Sequence, residues 1–274
     1  MVIKMNRVFV SIGPINIYWY SVLIISAILI GIHFSSKVAE KNGLGKTTII
    51  DLIFGLIFIG VVGARLYYVV FNFSIFKDDL ISIFKVWEGG LAIYGAVIAG
   101  IIYIWYYAKK KNISFIKMLD ICSLSLLLGQ AIGRWGNFFN SEAYGGITTY
   151  SKLKSMHIPP FIIKGMYIDG AYREPTFLYE SIWCLIGVLI LWYIRKKKIY
   201  KMGNQVSFYM IWYGIGRFII ESMRSDSLYL GNFRVSQIVS IILVVLGIIG
   251  NFIIYRNNYK KFNKNQTGGI DGRI

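Results

Sequence analysis

The feature that most constrains this chain is the length of its apolar runs. "IYWYSVLIISAILIGIHF" near the start is one of several stretches that approach or exceed the roughly 18 residues needed to cross a bilayer. Hydrophobic residues make up 56% of the 274, well above the share typical of soluble domains. In hydrocarbon every backbone polar group must be satisfied within its own segment, which leaves helices as the economical answer for runs of this length. The expected class is therefore an all-α, polytopic membrane protein. Seven transmembrane helices account for the pattern, at about 15–34, 48–71, 89–108, 118–139, 177–194, 205–222 and 235–255. The first run has basic residues before it, Lys4 and Arg7, but it is too long for a signal peptide and no small-x-small cleavage site follows.

A net charge of +17 would suggest nucleic acid on a soluble protein. Here the cations gather in short segments between apolar runs, so they encode topology instead and no nucleic acid is expected. Segments 35–47, 109–117, 195–204 and 256–266 carry 3, 4, 5 and 4 Lys+Arg, against 2, 2, 4 and 2 in 1–16, 72–88, 140–176 and 223–234. By the positive-inside rule the N-terminus lies outside and the C-terminus in the cytoplasm. A single membrane domain over 1–255 and a cytoplasmic tail over 256–274 follow. Residues 140–176 form a long extracytoplasmic arm between spans four and five, whose Tyr, Phe, Ile and Pro content suits an interfacial position better than a solvated loop. The stretch "NQTGGIDGRI" at the end reads as unstructured.

Ionisable and amide groups inside spans are costly and mark function by default. Tyr20, Arg65, Tyr94, Arg134, Asn137 and Arg217 all fall within about two turns of the expected outer ends of their spans. Tyr213, Arg217, Glu221 and Arg224 are spaced 4, 4 and 3, one helical face. Glu221 offsets one of its two arginines, and Glu142 and Glu180 offset part of the rest. A cationic excess at this depth calls for an anionic guest, for which a phospholipid phosphate is the obvious source, and arginine binds such oxygens bidentately. The alternative is that the arginines only staple helices together through Glu221 and Glu180. Glycines around these positions, among them Gly63, Gly95, Gly133, Gly136, Gly214 and Gly216, permit close helix approach. Cys122 and Cys184 lie in apolar runs as packing residues, and His33 and His157 read as bystanders. No metal-ligand cluster, phosphate loop or nucleophile elbow is present in the sequence, so neither a metal nor another cofactor is expected.

"GRWGNFFNSEAYG", residues 133–145, resembles the signature of bacterial phosphatidylglycerol–prolipoprotein diacylglyceryl transferases, roughly G-R-x-G-N-F-x-N-x-E-x-x-G. "YWYSVLI", "GARLYYVVF", "GGLAIYGAVIAG", "EPTFLYES" and "YGIGRFIIESMR" are similar to further segments of that family. The resemblance implies seven spans in the bacterial cell membrane with the active site towards the extracytoplasmic leaflet. It implies transfer of a diacylglyceryl group from phosphatidylglycerol to the lipobox cysteine of a prolipoprotein signal peptide, forming a thioether and releasing glycerol phosphate. It places Arg134 and Asn137 at the headgroup with Asn140 and Glu142 shaping the same site, Tyr213 and Arg217 in the catalytic pocket, and Tyr20 lining it. Arg65, Glu221 and Arg224 are added as substrate-binding from their depth and helical face. The chain departs from the family pattern at Tyr94 and at Glu174, where many members carry histidine. Either Tyr94 or Glu142 takes the thiol proton, or Tyr94 only orients the headgroup. A different metal-independent phospholipid transferase and a non-catalytic anionic-lipid-binding protein are the alternative readings.

Overall fold

The central part of each apolar run becomes helix in the computed structural model, which describes residues 6–199 and 201–267, with side chains of the last helix described to residue 256. A β-hairpin, β1 (Val8–Ile12) and β2 (Ile15–Tyr18), leads without a linker into α1 (Trp19–Lys41). There follow α2 (Thr48–Phe71), the short α3 (Phe73–Phe76), two 3₁₀ turns at Leu80–Phe84 and Val86–Glu88, α4 (Ile93–Lys110) and α5 (Phe115–Asn140). The segment after α5 holds β3 (Ile147–Thr148), α6 (Tyr150–Ser155), α7 (Pro160–Gly165), β4 (Tyr167–Ile168) and β5 (Ala171–Arg173). The chain ends with α8 (Thr176–Lys197), α9 (Asn204–Met223), the hairpin β6 (Tyr229–Leu230) and β7 (Phe233–Arg234), and α10 (Val235–Thr267).

Among the described residues five helices, α1, α2, α5, α8 and α10, are long and apolar enough to cross a membrane. α4 is only 18 residues long with Lys109 and Lys110 in its last turn, and α9 carries Gln205, Arg217 and Glu221; neither is among the five. Many large apolar side chains point outward, such as Phe54, Phe58, Val70, Leu189 and Phe252. That is the pattern of helices solvated by lipid.

Two expectations need revision. Residues 15–18 are strand, not the start of a span; Trp19 N–H donates to the Arg7 carbonyl at 3.1 Å, so the helix begins where the hairpin closes. α10 runs past 255 to Thr267, because nothing in "YRNNYKKFNKNQT" breaks a helix. The final residues 268–274 of the tail lie outside the described residues.

Two compact units are defined by internal contacts, one from the described residues of 1–31 and 122–274 and the other from 32–121. In the second unit α2 packs on α4 at a glycine crossing: a Cβ on Gly63 would stand 2.8 Å from the Gly95 carbonyl oxygen. The Tyr107 hydroxyl donates to the Thr48 carbonyl at 3.0 Å. The first unit contains α8, α9 and α10, with α9 packed on both neighbours. Residues 140–176 form no loose connector. The antiparallel sheet β3–β5–β4 and the two short helices enclose a core of Phe138, Leu153, Ile158, Ile162, Ile163, Met166 and Phe177. Burial of that many apolar side chains offsets the entropy of ordering the arm.

Candidate functional site

α5 delivers the polar residues of the signature. Arg134 and Asn137 are three residues apart and so share a face, and Arg134 Nη1 donates to Asn137 Oδ1 at 3.2 Å. Asn140 is the last helical residue. Ser141 and Ala143, on either side of Glu142, both take left-handed backbone angles, φ 55° and 57°. Non-glycine residues adopt that conformation at a cost, one often found where a side chain must be aimed. Here the turn brings Glu142 back over the helix end, where its Oε1 accepts from Asn137 Nδ2 at 2.8 Å and Asn140 Nδ2 at 3.4 Å.

Two carboxylates from other helices complete the ionic cluster. Glu180 of α8 is 3% exposed and divides its oxygens between two arginines: Oε1 lies 2.8 Å from Arg134 Nη2 and Oε2 lies 3.1 Å from Arg217 Nη1. Arg217 Nη2 also pairs with Glu221 Oε2 at 2.6 Å, one turn along α9, and reaches Ser236 Oγ at 3.4 Å. Arg234 donates to the Glu221 carbonyl. A continuous chain of contacts thus runs Glu221–Arg217–Glu180–Arg134–Asn137–Glu142–Asn140. Buried ions are tolerable only when paired, and each arginine of this cluster has a carboxylate oxygen within 3.1 Å. Tyr213 packs against the buried cluster of Leu127, Ala131 and Cys184, and Tyr209 stacks on it with centroids 5.8 Å apart.

Beside the Glu142 end lies a cavity of about 470 Å³ lined by Arg7, Tyr18, Tyr20, Ser21, Asn140, Ser141 and Glu142. Gly136 of the signature admits the Tyr20 ring; a Cβ there would sit 2.6 Å from Tyr20 Cδ2. The last signature glycine has a different duty. Gly145 N–H donates to the Glu174 carbonyl at 2.9 Å and Gly146 N–H to the Met223 carbonyl at 3.2 Å. A Cβ on Gly145 would meet Glu174 Cβ at 2.7 Å. The strand after the site is thereby tied to the start of α8 and the end of α9. Glu174 is held by Lys152 Nζ at 2.7 Å and Tyr179 Oη at 2.8 Å. Burial would raise its pKa, but the hydrogen bonds from Lys152 and Tyr179 together with the Lys152 charge hold the carboxyl below its usual range.

Of the residues singled out in the sequence, Arg134, Asn137, Asn140, Glu142, Arg217 and Glu221 share one network, and Tyr20 shares the adjoining cavity with two of them. The cation excess expected there is absent from the core of the network, where Arg134 and Arg217 face Glu180 and Glu221. Arg224 does not continue the face of Tyr213, Arg217 and Glu221. It caps α9 in an extended conformation and turns to Asp226, at 3.0 Å through two nitrogens.

Arg65 belongs to the other unit and spends its donors on backbone. Nε bonds Ile83 O at 2.8 Å, Nη1 bonds Gly89 O and Gly90 O at 2.7 and 3.1 Å, and Nη2 bonds Ser82 O and Lys85 O at 2.6 and 3.5 Å. Gly89 and Gly90, at φ 93° and 67°, supply the turn that offers those carbonyls. Ala92 N–H then donates to Ala64 O at 3.1 Å and starts α4, which carries Tyr94 in its first turn. This guanidinium is a scaffold for the loop. Arg65→Lys keeps the charge but has three donors for five carbonyls. It is expected to cost about 2 kcal/mol, read as a lower unfolding temperature in detergent.

A helical, multi-pass membrane protein whose first unit gathers paired arginines and carboxylates at a buried point is the class these features define. Residues 7–253 match the prolipoprotein diacylglyceryl transferase family. The chain is 47% identical over 252 residues to the phosphatidylglycerol–prolipoprotein diacylglyceryl transferase of Listeria monocytogenes serotype 4b, covering 92% of this chain and 90% of that one. The enzymes of the same name from Halalkalibacterium halodurans and Bacillus cytotoxicus are 46% identical over 246 residues and 44% over 261, covering 89% and 95% of this chain and 85% and 96% of theirs. The chain belongs to the prolipoprotein diacylglyceryl transferase family.

Proposed function

We propose that this protein transfers the diacylglyceryl group of phosphatidylglycerol to the cysteine thiol of a prolipoprotein lipobox, releasing glycerol phosphate. The observation that carries the reading is Glu180 holding Arg134 and Arg217 together, in contact with the amide and carboxylate of the signature.

The reaction forms a carbon–sulfur bond at the glyceryl CH2 and breaks the carbon–oxygen bond to phosphate. The thiol loses its proton, and the leaving phosphate gains a second negative charge. Thiols titrate near 8.5 in water, and neighbouring cations lower that value. A site for this step must favour the thiolate and receive the growing charge on the leaving group. Arginines pinned in advance by Glu180 and Glu221 do so without reorganising as the charge develops. Their pairing with carboxylates leaves the resting site near neutrality, so the arriving phosphate supplies the charge that the guanidiniums then share. Asn137 and Asn140 offer amide donors and acceptors to the headgroup, and Tyr213 flanks it. Glu142 is the proton acceptor favoured by its place in the network.

Seven spans with the N-terminus outside and the C-terminus inside complete the reading, α4 and α9 being the two crossings beyond α1, α2, α5, α8 and α10. The domain is 1–255 with a cytoplasmic tail, and the site faces the extracytoplasmic leaflet of the bacterial cell membrane. The folded arm receives the prolipoprotein signal helix at the level where the lipid headgroup lies.

The test uses purified protein, phosphatidylglycerol and a lipobox peptide without added metal. Thioether-linked peptide and free glycerol phosphate in equal amounts are expected. Lipid binding with no product would instead mark a lipid-binding scaffold.

A further inference from the structure

α8 and α9 carry the same five-residue pattern, Trp-x-x-x-Gly, at Trp183–Gly187 ("WCLIG") and Trp212–Gly216 ("WYGIG"). The helices are antiparallel, since the contacts Arg195–Gln205, Trp183–Trp212 and Glu180–Arg217 run backward along one and forward along the other. The two indoles stack at 4.4 Å between centroids with 16° between planes. Each donates to the other's backbone: Trp183 Nε1 to the Trp212 carbonyl and Trp212 Nε1 to the Trp183 carbonyl, both at 2.9 Å. Each ring also lies on the other helix's glycine. A Cβ on Gly187 would stand 2.6 Å from Trp212 Cδ1 and Nε1, and one on Gly216 would overlap the Trp183 indole.

Such a reciprocal pair fixes translation. Sliding one helix past the other by one residue, about 1.5 Å, would break both indole hydrogen bonds at once. It would also drive a ring off its glycine. Packing alone gives no such stop, because apolar ridges can settle into neighbouring grooves. Glu180 lies three residues before Trp183, and Arg217 five after Trp212, about 4.5 and 7.5 Å along the two axes in the same direction. An arginine on a helix leans back towards the N-terminus, which closes that difference. The register of the staple is therefore the register of the ion pair.

We propose that Trp183 and Trp212, seated on Gly216 and Gly187, are positioning residues that set the axial register of α8 against α9 and so place Glu180 between Arg134 and Arg217. The role in catalysis rests on the function proposed above; the role in register does not.

Two measurements on the full-length protein in detergent separate these. The first is a double-mutant cycle on thermal unfolding with W183F and E180Q, repeated with R217K in place of E180Q. Phenylalanine keeps a ring and loses the donor. W183F is expected to lower the midpoint by less than half as much when the ion pair is already altered. Equal decrements in both backgrounds would overturn the register role. The second is the thioether assay. W183F and W212F are each expected to lower kcat roughly tenfold, as loss of one hydrogen bond would, with KM for phosphatidylglycerol changed less than about twofold. The double variant should be no slower than the slower single, because the two bonds form one device. Unchanged kcat, a loss confined to KM, or losses that multiply would overturn the positioning role. Absence of thioether from the parent protein would reject the function while the thermal cycle still decides the register.

Discussion

Glu180→Gln is expected to reduce thioether formation by at least about 100-fold and to destabilise the protein by about 3–5 kcal/mol. The carboxylate is 3% exposed and is shared by two guanidiniums at 2.8 and 3.1 Å. Glutamine has the same shape but is neutral, and its amide nitrogen presents a donor to one of the two arginines. One buried cation would then lose its counter-charge and face a like partner. Removing one member of a buried pair costs far more than the pair's net worth, because the remaining charge stays desolvated. Both arginines should shift, so the catalytic loss exceeds what the stability loss explains. The check is kcat at a temperature well below the variant's unfolding midpoint. If E180Q turns over at the parent rate, Glu180 does not organise the site.

Lysine at either arginine should be almost as damaging, for a different reason. Arg134 uses Nη2 on Glu180 and Nη1 on Asn137, while Arg217 uses Nη1 on Glu180 and Nη2 on Glu221 and Ser236. Arg134 therefore bridges two groups and Arg217 three, each through both terminal nitrogens. An ammonium carries the same charge on one nitrogen and cannot span that gap. R134K and R217K are expected to lower kcat by about 10²–10³-fold, the loss typical of removing one preorganised donor. Stability should change much less than in E180Q, because charge balance is kept. Initial rates at saturating phosphatidylglycerol, with unfolding midpoints measured in parallel, test both statements. Lysine variants with normal kcat would mean that charge alone suffices.

The site was legible where chemistry is local. Arg134, Asn137, Asn140 and Glu142 lie within nine residues of one another, and helix periodicity and a tight turn are enough to converge them. Arg217 and Glu221 obey the four-residue rule of a helix face and pair accordingly. Arg224 broke that rule because α9 stops at Met223, a boundary that spacing alone does not reveal. Arg65 looked like a headgroup ligand by depth. Its cradle of carbonyls depends on the glycine turn at 89–90, some two dozen residues along the chain. In the sequence Glu180 stands out only as a partial counter-charge. A carboxylate one turn inside an apolar run was the available signal for a larger part. The repeated Trp-x-x-x-Gly was visible too, but its meaning requires the two helices side by side.

Hydrophobic length, charge bias between runs and the polar signature were determined by the sequence itself, because each reflects free energies that act on a segment whatever its neighbours do. Transfer to lipid, helix periodicity and a helix-ending turn are of this kind. Which carboxylate meets which arginine was decided only by the tertiary structure. Ionic contacts hold over about an ångström, and that precision comes from how helices distant in sequence register against one another. For α8 and α9 it comes from two indoles, each lying on the other helix's glycine.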